Sequence, residues 1–249
     1  VQHLLGWYIS IGQTADTDVT PIADPVMTIQ NGHFLPQQIM NLYWAAAMSA
    51  TLSRAKFATP KTRVMTNPYI RPIIEAAKPP TNPAVMTLWD RPFAFNALEE
   101  IQLLATSALA MGNESCYGIA LVGGPLTPAP AGDYYRLRFT STTTLTAHVW
   151  SQLTGPTFQD TLPQGTYAVV NLEVFSATAV AARIIFNGQQ YRPGSLAINA
   201  LSNQQSPWIS RRQGGIMGQF TQTALPLIEV LADAADTSQE GYLTIVRVG

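Results

Sequence analysis

Groups able to do chemistry are few in this chain and widely scattered. The three histidines, His3, His33 and His148, share no ligand spacing of the H-x3-H kind, so no metal site is expected from them. Cys116 is the only cysteine, which excludes an intrachain disulfide and a multi-thiolate metal centre. Within Asn113-Glu114-Ser115-Cys116-Tyr117-Gly118 it reads as a small buried thiol at the start of a strand, not as a nucleophile. The carboxylates group as Glu99-Glu100, as Asp16 with Asp18, and as Asp233, Asp236 and Glu240. The first pair suits the opening turn of a helix, where the macrodipole favours acids. The last group lacks the glycine and the alternating ligands of a calcium loop and reads as a polar connection. Gly123-Gly124-Pro125 and Gly214-Gly215 are too short to cradle a phosphate and read as turns. The expectation is therefore a protein without catalytic residues, metal or cofactor.

The residues that stand out are suited to contact. Ser206-Pro207-Trp208-Ile209-Ser210-Arg211-Arg212 joins an aromatic ring to paired guanidinium groups in a turn-rich stretch. Aromatic plus Arg is the composition of interface anchors, so Trp208, Arg211 and Arg212 are candidate inter-subunit contacts. Arg136 and Arg138 join them, because Tyr135, Leu137 and Phe139 alternate with Arg136, Arg138 and Thr140 and leave a basic side facing water or a partner. Val180, Ile184 and Phe186 suggest the same around Arg183.

The elements that must carry these residues divide the chain unevenly. Residues 1 to about 35 read as short strands joined by turns. From Pro36 to about Phe57 the run is rich in Ala, Leu, Met and Gln, with Pro36 at a plausible first helical position, and predicts a helix over about 36–57. Seven prolines between Thr59 and Pro92 exclude long helices and central strands, leaving an extended excursion that contacts neighbouring material. A second helix is predicted over about 96–111, because Asn96 and Glu99 fit a capping box and Ile101, Leu104, Ala105, Ala108 and Met111 follow at helical spacing.

After residue 116 the pattern is of strands punctuated by turns such as Gly155-Pro156 and Asn187-Gly188. No internal repeat of fixed period is visible. The reading is a mainly β chain: one antiparallel, jelly-roll-like β-sandwich domain over 1–249 with two inserted helices.

Composition narrows the function. Lys and Arg number 14 against 15 Asp and Glu, and charged residues make up 12%, about half the ~25% usual for soluble domains. That balance excludes an electrostatically driven nucleic-acid binder. The longest apolar stretch, Leu42 to Ala50, falls far short of the ~20 residues of a transmembrane helix. A surface so poor in charge fits a subunit that hides much of itself against copies of itself, and 11 Arg against 3 Lys favours fixed contacts over a solvated coat.

The strand series from Tyr134-Tyr135-Arg136-Leu137-Arg138-Phe139 through Gly165-Thr166-Tyr167-Ala168-Val169-Val170 to Gly241-Tyr242-Leu243-Thr244-Ile245-Val246 resembles the single jelly-roll coat proteins of tailless icosahedral viruses, including bacteriophages with an internal membrane. The resemblance covers residues 117–249 and, more weakly, 1–35. It implies a capsid subunit located in the virion, whose partners are copies of itself as trimers or larger, with other coat proteins as possible neighbours. Residues 1–35 hold no Lys or Arg, so the basic genome-binding arm of many small RNA viruses has no counterpart there and no strong direct nucleic-acid binding is expected. Two other classes stay open: a receptor- or glycan-binding sandwich with an aromatic platform at Trp208 or Trp89, and an all-β enzyme.

Overall fold

A computed structural model describes residues 1–11, 17–27, 32–39, 41–49, 52–61, 69–70, 83–96, 98–107, 114–198 and 215–249. The chain is mainly β and divides into two compact units, Leu5–Gly124 and Pro125–Gly249, the second including Val1–Leu4.

The C-terminal unit is built from β11 (Tyr134–Ser141), β12 (Trp150–Gln152), β13 (Thr157–Phe158), β14 (Thr166–Phe175), β15 (Ala179–Ile185), β16 (Gly194–Leu196), β17 (Gly218–Thr221), β18 (Leu227–Ala232) and β19 (Gln239–Arg247). They form one sheet in the order β13-β11-β19-β14-β17 and another in the order β12-β18-β15-β16. One buried cluster is shared by both, with Leu137, Phe139, Leu172, Leu243 and Ile245 from the first sheet and Ala182, Ile184, Ile228 and Val230 from the second. If β13 is set aside and the other eight strands are numbered in chain order, the sheets read 1-8-3-6 and 2-7-4-5. That is the double Greek key of a jelly roll.

The N-terminal unit repeats the permutation. Its strands are β1 (Gln2–Ile11), β2 (Thr17–Pro21), β3 (His33–Phe34), β4 (Asn41–Met48), β5 (Leu52–Ala58), β6 (Tyr69–Ile70), β7 (Ala84–Thr87), β8 (Phe93–Ala94), β9 (Glu100–Ser107) and β10 (Glu114–Gly123). The path β6-β5-β9-β2-β1-β10-β4-β7, with β3 and β8 as side pairings, contains 2-7-4-5 and 1-8-3-6 joined through β1 and β2. The irregularities repeat too. The third strand carries an extra residue against the eighth, Tyr43 in β4 and Val170 in β14. The fourth carries one against the seventh, Ser53 in β5 and Val180 in β15. A bulge bends its strand and re-aims neighbouring side chains, so its recurrence at the same strand pair is a second likeness beyond strand order. The repeat lies in topology and leaves no fixed period in the sequence.

The two inserted helices are absent among the described residues: strands run over 41–48 and 52–57 of the first stretch and over 100–107 of the second, with turns and loop between and before them. In β4 every residue after Asn41 is buried. A strand covered on both faces loses its period of two, and the remaining Ala- and Met-rich run has the composition of a helix. In β9 the buried apolar set is Ile101, Leu103 and Ala105, a period of two that the apolar Leu104 between them disguised. The reciprocal Asn96–Glu99 bond does form, with the Asn96 N–H donating to Glu99 Oε2 at 3.1 Å, but it closes a loop into β9. Of the Pro-rich stretch, β6 and β7 are strands and 62–68 and 71–82 lie outside the described residues.

Candidate interface on the outer sheet face

Alternation along β11 sends Leu137 and Phe139 into the core and leaves Arg136 and Arg138 on the opposite face. Register sets Arg138 beside Tyr242 and Thr140 beside Glu240 on β19. It also sets Glu173 of β14 across from the same Tyr242, and Asn171 across from Thr244. The result is a small lattice of paired charges. Arg136 donates to Glu173 and its guanidinium lies 4.4 Å from the centre of the Tyr242 ring. Glu173 Oε1 accepts from Asn171 Nδ2 at 3.2 Å. Arg138 donates to Glu240 Oε1 at 2.8 Å and to Gln159 Oε1 at 2.9 Å, while the Tyr242 hydroxyl donates to Glu240 Oε1 at 2.9 Å.

The charges of Arg136 and Arg138 are thus matched by Glu173 and Glu240. Hydrogen bonds from Arg138 and then Tyr242 hold the Glu240 carboxyl below its usual range, and its acceptance of the Tyr242 proton pushes the phenol up. This face offers aromatic and guanidinium surface with little net charge, which suits protein contact better than phosphate binding. Beside it lies a groove of ≈ 430 Å³ lined by Tyr134, Arg136, Asn171, Glu173 and Thr244. A second concavity of ≈ 330 Å³ opens around Tyr135, Leu137, Leu162 and Arg247. Trp208, Arg211 and Arg212 lie outside the described residues, so only Arg136 and Arg138 of the five candidate contacts have a described place.

Arg183 differs from its expected place on a wet or partner-facing side, for it is fully buried. Its Nε donates to Glu229 Oε2 at 2.6 Å, Nη1 donates to the Leu4 carbonyl at 3.2 Å, and the guanidinium stacks 4.1 Å from the Trp150 ring centre. Arg192 Nη1 donates to the other oxygen, Glu229 Oε1, at 2.6 Å. The Arg192 N–H donates to His3 Nδ1 at 3.1 Å, and the Leu4 N–H donates to the Arg192 carbonyl at 2.9 Å. His3 and Leu4 therefore belong to a buried ionic cluster that the sequence reading missed. Its signal was a lone Arg and a lone Glu in otherwise apolar strands, β15 and β18.

The remaining chemical candidates have structural roles. Burial pushes the Cys116 thiol up to about 12, so it carries negligible thiolate at neutral pH. His33 bonds the Gly6 carbonyl at 2.9 Å and packs edge-on to Trp7. His148 sits in a left-handed turn at φ 64° ahead of β12. In the 233–240 loop the Asp236 carboxylate accepts from Ser176 and from the N–H groups of Ala177, Thr237 and Ser238, a loop-closing arrangement. Among the described residues no group of three or more His, Cys, Asp or Glu could hold a metal ion. No helix among them is long and apolar enough to cross a membrane.

No family model and no curated protein matches the chain. Among solved structures it is similar to the major capsid protein P2 from Bacteriophage PM2, at 10% identity and a TM-score of 0.27, over 100% of this chain and 98% of that one. A superposition so loose carries no argument about function.

Proposed function

We propose that this chain is a structural subunit that associates with copies of itself, as trimers or larger, to build a viral coat, and that its place is the virion. The observation that carries the reading is the repetition within one chain of the same jelly-roll permutation together with the same two bulges. Jelly rolls recur in capsid and lectin domains, and a fold alone does not choose between them. The low charge tips the balance, because 12% charged residues leave little of the solvated surface that keeps a protein monomeric. The charge-matched face around Arg136 and Arg138 has interface chemistry, and Trp208, Arg211 and Arg212 are proposed as further inter-subunit contacts. Light scattering of the purified protein at micromolar concentration tests the proposal: trimers or larger species are expected, and a monomer that persists across salt and pH contradicts it.

A further inference from the structure

We infer that His3 is an acid-sensitive latch: on taking up a proton it releases the segment Gln2–Leu4 from the loop that carries Arg192. The bond that joins the two fixes the state of the ring. A main-chain N–H can only donate, so the Arg192 N–H, 3.1 Å from His3 Nδ1, requires that nitrogen to hold a lone pair and no proton. An imidazolium carries a hydrogen on both ring nitrogens. A protonated His3 therefore sets donor against donor and cannot keep the bond. His33 shows the opposite arrangement. Its Nε2 lies 2.9 Å from the Gly6 carbonyl, which can only accept, so that ring donates and its bond survives protonation.

Burial and charge oppose the proton as well. His3 is fully buried, and burial disfavours the charged form of an imidazole. The ring meets Tyr191 edge-on with 6.2 Å between centroids, and burial pushes that phenol up, so it stays neutral. The charged members of the cluster are Arg192 of the loop, Arg183 of β15 and Glu229 of β18, two guanidinium groups to one carboxylate. An imidazolium adds a third cation to that set. Two further ties hold the segment: the Leu4 N–H donates to the Arg192 carbonyl at 2.9 Å, and Arg183 Nη1 donates to the Leu4 carbonyl at 3.2 Å. Two of the three ties thus run to the Arg192 main chain, so a ring pushed off its donor loosens the bond beside it. Released, His3 takes its proton at about pH 6.5, and latched only at a lower pH. The latch is therefore fully closed above ~6.5 and opens as pH falls below that value. It works within the C-terminal unit whether or not the subunit builds a coat, so its failure leaves that reading intact.

The test is amide hydrogen exchange of the full chain at about pH 7.5 and about pH 5.5, corrected for the intrinsic pH dependence of exchange. Protection of the Arg192 and Leu4 N–H groups should fall about tenfold between the two, because each pH unit below ~6.5 weakens the latch by up to that factor. The Met217 N–H, bonded to the Val169 carbonyl at 2.7 Å in the same unit, should keep its protection. His3→Gln keeps an acceptor oxygen and gains no proton, so it should erase the pH step at Arg192. If that variant fails to fold, nitrogen NMR of the parent decides: Nδ1 of His3 should be unprotonated at neutral pH and the ring should titrate below ~6.5. The inference is overturned by equal protection of Arg192 at both pH values, or by a fall that Met217 shares, which is general acid unfolding. It is equally overturned by a pH step that persists in His3→Gln, or by a His3 ring that titrates at or above the free value.

Discussion

Glu229→Gln is the sharpest perturbation of the C-terminal unit. Glu229 is 7% exposed and holds two guanidinium groups, Arg183 Nε and Arg192 Nη1, each at 2.6 Å. Glutamine removes the charge and places an amide N–H₂ against one of those donors. Arg192 keeps some access to water, whereas the Arg183 side chain has none. Breaking a buried pair from one side costs ~3–5 kcal/mol, because a desolvated charge is left behind. For a chain of this size that lowers Tm by roughly 6–20 °C, taking 2–4 °C per kcal/mol. Urea unfolding followed by fluorescence and circular dichroism gives the number. The double variant Arg183→Met/Glu229→Met should regain a large part of the loss, since apolar replacement of a whole buried pair is often neutral or stabilising. A Glu229→Gln midpoint within ~1 kcal/mol of the parent would refute the reasoning, for it would mean that Arg183 finds water or another acceptor.

Trp208→Ala should weaken assembly by ~2 kcal/mol or more while the subunit keeps its unfolding midpoint; a subunit destabilised by ~3–5 kcal/mol, with association otherwise normal, would place the ring in a core instead. Burial raises the Asp236 carboxyl, but the bonds from Ser176, Ser238, Thr237 and Ala177 outweigh it and hold the group below its usual value. A depressed carboxyl contributes stability that is present above its unfolded pKa of ~3.9 and is lost as pH falls through the lower folded value. Asp236→Asn should therefore lower Tm at pH 7, with the gap closing in acid; a gap that stays constant down to pH 2 contradicts the assignment. Deleting Val1–Leu4 removes the His3 acceptor of the Arg192 N–H and the Leu4 carbonyl that Arg183 holds. Amide exchange at Arg192 should accelerate, and unchanged protection would show that these residues do not clasp the unit.

Much of the C-terminal unit was legible because turn formers bound its strands. Tyr134–Ser141 also alternates a wet face with the core, whereas Thr166–Phe175 and Leu227–Ala232 are largely buried on both faces and show as apolar β-formers between turns. The Asn187-Gly188 turn was equally readable, with Gly188 at φ 75° and the Gln189 N–H closing onto the Phe186 carbonyl. The N-terminal unit was misread where burial on both faces erases alternation, as at Trp44–Met48, and where Leu104 extends a two-residue period into a false helical one. The same ambiguity hid the repeated permutation, since a misassigned third, fourth or seventh strand destroys the match. At the site, Arg136 and Arg138 follow from alternation. Their carboxylate partners do not, because Glu173 and Glu240 reach them only through strand pairings that cross the chain order. Arg183 was misplaced for a related reason: a period of two tells which residues share a face, and not whether that face is covered. Its cover includes Leu4, 179 positions away in sequence.

Electron microscopy of the purified 27.0 kDa chain tests the central claim most directly. The account predicts discrete oligomers of three or more copies at micromolar concentration, joining into closed shells as concentration rises. A uniform field of single subunits, unchanged by salt, pH or concentration, would contradict it.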